Sequence, residues 1–93
     1  MTMTERLAQA VADVAIERRR QEDLKRQGRF AYTLADDGMT DFQRLACIAE
    51  EIGEVSRCLL GRAGLTTDGG TDAMLRAELC QVAALAVAWM ERL

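Results

Sequence analysis

Four carboxylates and one amide are the residues of this chain whose types and spacing could do chemistry. Glu50, Glu51 and Glu54 crowd two turns of "LACIAEEIGEVSRCLL", residues 45–60, whose apolar residues fall at helical spacing. The pattern of "EIGEV", 51–55, returns in "ELCQV", 78–82, so that Glu78 and Gln81 repeat the i,i+3 spacing of Glu51 and Glu54. Like charges one turn apart repel, and a carboxylate beside a core loses hydration. Two things relieve this: protonation at a raised pKa, or a hard divalent cation. Magnesium favours carboxylate oxygens, keeps several waters and bridges to phosphates. Helical bundles build metal sites from carboxylates at i,i+3 on facing helices. A lone pair of this kind is ordinarily a solvated helix face, and Glu50, nearly opposite the apolar stripe, fits that description. The second pair, in the same register on another helix, favours a cation site.

The rest of the composition narrows the chemistry further. The 93 residues contain no histidine, which excludes Ser-His and Cys-His nucleophiles and histidine-ligated zinc. Cys47, Cys58 and Cys80 form no CxxC spacing and read as small buried hydrophobes in a reducing compartment. The net charge is −3, unevenly spread. "ERRRQEDLKRQGR", 17–29, holds six basic and three acidic residues, a local +3 that leaves −6 for the remainder. Such an acidic chain is a poor nucleic-acid binder, but its basic segment suits a small anion. Lys25, Arg26 and Arg29 are candidates for phosphate oxygens, with an exposed charge run as the equal alternative. Phe30 and Tyr32 are candidates to stack on a base, whereas Trp89 reads as core.

These side chains must be positioned by helices. There is no proline and no strand-like alternation, so the expectation is a single all-α domain over 1–93 with three main helices. Helix one is expected from Thr4, its cap, to Gln27, with Leu7, Val11 and Val14 as its stripe and Gly28 ending it. Past Ile16 the stripe gives way to charge, so the second half is expected to be the more exposed or to face polar groups. Residues 29–39 read as a loop. Helix two starts at Thr40, where Thr40-x-x-Gln43 makes a capping box. Its core stripe is Leu45, Ile48, Ile52, Val55 and Leu59, and "GRAGLTTDGG" ends it. Helix three runs from Thr71 to the C-terminus on Leu75, Leu79, Val82, Ala86, Trp89 and Leu93. If the two stripes pack together, the polar pairs meet across a half-dry groove. No apolar run is read as long enough to span a bilayer and the N-terminus lacks the order of a signal peptide, so no membrane partner and a cytoplasmic home are expected.

"AEEIGEV" followed by "AELCQVAALAVAWME" resembles the MazG-like members of the all-α nucleoside triphosphate pyrophosphohydrolases, whose signature is ExxE, a gap, then ExxD. The upstream "RQEDLKRQGRFAYTLADDGMTDFQRLACIAEE" is similar to short, often phage-encoded, members, so the likeness spans roughly residues 17–93. The resemblance implies a subunit that completes a four-helix-bundle-type core by dimerising, or as a dimer of dimers. It also implies Mg²⁺-dependent cleavage of an NTP or dNTP to the monophosphate and pyrophosphate. Carried over by position, Glu51, Glu54 and Glu78 would ligate Mg²⁺, with Gln81 in place of the fourth acid. Glu54 or Glu50 would orient or deprotonate the attacking water. Gln81 keeps open a catalytically weak or silent module that binds nucleotide or a protein. A purely structural helical dimer, its glutamates bridged to Arg57 or Arg76, is the third reading.

Overall fold

The computed structural model describes all 93 residues as three helices joined by two loops, with no strand. The all-α expectation and the number of helices stand. Helix α1 spans Met3–Arg26, α2 Asp41–Arg62 and α3 Asp72–Met90. Thr2, not Thr4, caps α1: its hydroxyl accepts from the Glu5 N–H at 3.1 Å and the Glu5 carboxylate accepts from the Thr2 N–H at 3.2 Å. Thr4 has Leu7 three residues on and cannot close such a box, which is why the start shifts. At Thr40 the predicted box with Gln43 forms, and Thr71 caps α3 through the Met74 N–H. Gly28 and Gly64 follow α1 and α2 at φ +74° and +77°, the left-handed C′ position where a missing Cβ removes the clash.

Helix α3 is the centre: α1 and α2 both pack along it and not on each other. Ala84 and Ala88, one turn apart on α3, are wholly buried, and with only methyl groups there a neighbouring helix can approach closely. On α1 it is the charged second half that is buried, through Arg18, Gln21 and Leu24, while Leu7 and Val11 lie exposed. Of the two expectations for that half, greater exposure fails, while a face toward polar groups is found where Arg18 meets Glu91. Arg18 is accommodated because Glu22 and Glu91 hold its guanidinium at 2.8 and 2.6 Å, leaving its stem free to pack.

The apolar stripe of α2 is turned inward only in part: Ile48 and Val55 are half-buried. Leu45, Ile52 and Leu59 are about half exposed, as is Leu79 on α3. The less exposed face of α2 is rotated toward Arg44, Cys47, Glu51 and Cys58. Cys47, Glu51 and Cys58 of the polar row are thus turned inward alongside Ile48 and Val55, whereas Glu54 is exposed. Trp89 is half-buried, in keeping with a packing role, and of the cysteines only Cys58 is fully buried. One chain alone buries nine residues, a small core even for 93 residues.

Both loops are held by specific devices. Arg44, buried at the start of α2, donates to the backbone carbonyls of Leu34 at 2.9 Å, Asp36 at 2.8 Å and Met39 at 3.0 Å. That clamp fixes the 27–40 loop and seats Leu34, the most buried large side chain. In the second loop, Gly61 and Gly70 allow backbone to lie on backbone. A Cβ on Gly70 would sit 2.4 Å from the Arg62 nitrogen, and one on Gly61 only 1.5 Å from the Gly69 carbonyl oxygen. Helix α3 also reaches the length and mean hydropathy, 1.4, of a membrane-spanning helix. The sequence reading of no such run is thereby corrected, although Arg76 and Glu78 interrupt it and two helices flank it.

Candidate functional site

Of the fifteen acidic residues, ten form ion pairs within the chain. Glu5 is occupied as a helix cap. The four left without a basic partner are Glu50, Glu51, Glu54 and Glu78. These are the acids that the spacing of the sequence singled out.

Of these, Glu51 sits in the electrostatically strained position. Burial raises the Glu51 carboxyl above its usual range, and the neighbouring charges of Glu78, Glu54, Glu50 and Glu17 raise it further. Glu51 on α2 thus senses Glu78 across the α2–α3 contact. One carboxylate oxygen of Glu78, Oε2, is buried with no hydrogen-bond partner, an arrangement that costs free energy unless a proton or cation arrives. The arginines of the structural-dimer reading are engaged elsewhere: Arg57 with Asp68 at 3.1 Å and Arg76 with Asp13 at 2.7 Å.

The four expected ligands are not gathered into one cage. Glu51 and Gln81 line a groove of about 310 Å³, together with Glu50. Glu54 and Glu78 line a separate depression of about 260 Å³ beside Arg57, Cys58, Asp68 and Met74. No three carboxylate or cysteine side chains stand close enough together to grip a metal ion. The donor set suits magnesium by its chemistry, three unpaired acids and an amide oxygen, with one acid oxygen already stripped of partners. Its spacing as it stands is that of an open row and not of a closed shell.

The groove is walled by α1, the 29–34 segment and α2, with Gln81 and Leu85 of α3 beneath. Arg29, Phe30 and Tyr32 line it as expected, and Arg29 has no carboxylate partner. Lys25 and Arg26 do not. Lys25 is bound to Asp36 and Arg26 to Asp23, so neither is turned to the groove. The Asp36 contact raises the Lys25 pKa and lowers that of Asp36. Tyr32 Oη lies 3.4 Å from Cys47 Sγ, and that contact, then the Cys47 and Glu50 charges, raises the phenol's pKa.

Sequence reasoning missed Glu17, Arg20, Gln21 and Cys47 as groove residues. Arg20 and Glu17 pair at 2.7 Å on its wall. Gln21 was the legible clue. It is the one uncharged polar residue inside "ERRRQEDLKR", and a residue that breaks a charge run on a helix is a candidate for the buried face.

The chain matches no protein-family model, and neither curated proteins nor solved structures give a match to it.

Proposed function

We propose that the chain is a Mg²⁺-dependent nucleoside triphosphate pyrophosphohydrolase of MazG-like type, releasing pyrophosphate from an NTP or dNTP. The observation that supports it is the unpaired acid row. In a chain that gives ten of its acids an arginine or lysine and uses Glu5 as a cap, Glu50 and the three acids of the ExxE/ExxQ pairs are left without one. Glu51, Glu54, Glu78 and the Gln81 amide would hold the cation. Magnesium bound there supplies charge neutralisation for the polyphosphate and activation of water. Glu50, exposed on the groove wall, would accept a proton from that water. Arg29 is the free cation for a phosphate oxygen, in preference to Lys25 and Arg26. Phe30 and Tyr32 offer aromatic surface for the base.

The reading includes a homo-oligomer in the cytoplasm, a dimer or dimer of dimers that completes a four-helix-type core. The exposed Leu45, Ile52 and Leu59 stripe supports it, being a contiguous apolar row that water does not favour. Ile52→Glu should then shift the sedimenting species to monomer. An unchanged mass would remove that stripe from any interface.

A panel of NTPs and dNTPs with magnesium tests the activity. Pyrophosphate should appear with at least one of them. Glu51→Gln should lower the rate by about 100-fold or more, since even outer-shell partners of a metal are worth 10- to 100-fold. No turnover across the panel overturns the enzyme reading. The weak or silent binder stays as the second reading because Gln81 brings no charge where the family carries an acid. It predicts stabilisation by magnesium with nucleotide and no product, and Gln81→Asp should then create turnover.

A further inference from the structure

We infer that Gln21 is the residue that reads the base, and that it selects nucleobases whose Watson–Crick edge sets an exocyclic amino group beside an unprotonated ring nitrogen, cytosine or adenine. The inference rests on the nucleotide reading of the groove given above.

Gln21 is 5 % exposed, lines the groove, and its Oε1 is buried with no hydrogen-bond partner. An amide in that position lowers stability unless it meets something, because a buried acceptor without a donor forfeits the hydrogen bond it had in water. Its position on α1 is fixed by the buried turn Arg18, Gln21 and Leu24, so the side chain cannot swing away into solvent. Opposite it on the same groove stand Phe30 and Tyr32, each a little under half exposed. Aromatic surface for stacking beside an amide for edge recognition is how unpaired bases are bound by proteins.

The choice of base follows from counting donors. A glutamine amide presents one acceptor and one donor group side by side, which match an amino group and the ring nitrogen next to it. Of the other polar groups around the groove, Glu51 and Gln81 belong to the cation and Arg29 to phosphate, which leaves Glu50, exposed and without a basic partner, as an acceptor. An exocyclic amino group brings two hydrogens, one for Gln21 Oε1 and one for a neighbouring acceptor. Uracil and the O6 edge of guanine can also pair with the amide, through a ring N–H and a carbonyl, but they bring no second hydrogen for that acceptor.

The test compares kcat/KM of the full-length protein with magnesium for CTP and ATP against UTP and GTP. Wild type should favour the amino-bearing bases by about 10- to 100-fold, the worth of one good bidentate contact. Gln21→Leu should erase most of that ratio, whereas a merely structural loss lowers all four alike. Gln21→Glu, which keeps the shape and the acceptor but removes the donor, should reduce the ratio if the leucine variant does not fold. A wild-type preference for uracil or guanine, or a ratio unchanged in the variant that folds, overturns the inference. If no nucleotide is turned over, the pyrophosphohydrolase reading fails by itself. The inference is then decided by calorimetric binding of CMP and AMP against UMP and GMP without metal, where equal affinities, or none for any of the four, sink it.

Discussion

Helix α3 has two sides, and they treat charge in opposite ways. Toward α1, Asp13 meets Arg76, and Arg18 is shared between Glu22 and Glu91. Toward α2, Glu78 and Glu51 confront each other with no base between them, and Arg57, one turn beyond Glu54, is turned to Asp68 instead. The same helix and the same residue types give a neutralised seam and a charged one. A row of carboxylates with no arginine or lysine paired to any of them, even where Arg57 stands at i+3 from Glu54, is held away from its stability optimum. Local departures of that kind concentrate where a protein binds or reacts.

The largest effect should come from spoiling the neutralised side. Arg18 is the buried centre of its seam, so Arg18→Ala strips Glu22 and Glu91 of their partner at once. The cost should be about 2 kcal/mol, below the range for wholly buried pairs because both carboxylates keep contact with water. Urea unfolding measures it. A loss no greater than that of an exposed helix pair would mean that the α1 seam owes its stability to packing alone, and the contrast between the two sides would weaken.

Next in size is the response of the charged side to a cation. At a magnesium concentration about ten times its Kd, binding to the folded chain alone adds about 1.4 kcal/mol, several degrees in Tm for a domain of this length. Glu51→Gln together with Glu78→Gln should abolish the increment, and Arg18→Ala should leave it in place. If EDTA and magnesium leave the wild-type Tm unmoved, the acid row is not a cation site.

How much of this contrast was legible beforehand differs between the two sides. The acid row was, because repetition of ExxE as ExxQ on two helices is a local pattern that spacing alone exposes. The helices were too, since caps at Thr40 and Thr71 and glycines at the breaks are nearest-neighbour chemistry. The α1 seam was not. Arg18 is buried because Glu91, 73 residues later, arrives beside it, and no periodicity within α1 announces a distant partner. A run of charges therefore read as surface when it was the packed face. The division of the ligand set into two depressions escaped for a related reason. The face of α2 was expected to centre on Leu45, Ile48, Ile52, Val55 and Leu59; only Ile48 and Val55 of these are half-buried, and the shift toward Cys47 and Cys58 is set by long-range packing that spacing within α2 does not encode.

The smallest effect is the most diagnostic, because the two sides should respond to pH with opposite sign. On the neutralised side the Glu22 carboxyl is lowered, first by the hydrogen bond from Thr33 and then by Arg18, and that of Asp36 is lowered, first by Lys25. The folded chain therefore holds those protons less readily than the unfolded one. Their contribution is present above the ordinary values of 4.5 and 3.8 and is lost as the pH falls. Glu51 is raised, by burial first and by Glu78 next, so the folded chain binds its proton more readily. Its contribution is complete below 4.5 and disappears as the pH climbs through the raised value. The metal-free chain should thus be most stable in mildly acid solution, near 4.5 and below the raised Glu51 value, and soften toward neutrality. Glu51→Gln should remove the softening, a gain on the order of 0.5 kcal/mol at neutral pH, the scale of one like-charge helix pair, and leave the acid limb unaltered. Magnesium should flatten the same limb in the wild type, because the cation does for the row what the proton does. Melting curves across about pH 4 to 8, with and without the ion, carry the comparison. A wild-type stability that keeps rising to neutrality, or a variant that tracks it at every pH, would mean that the carboxylates along α2 and α3 are as comfortable as those facing α1.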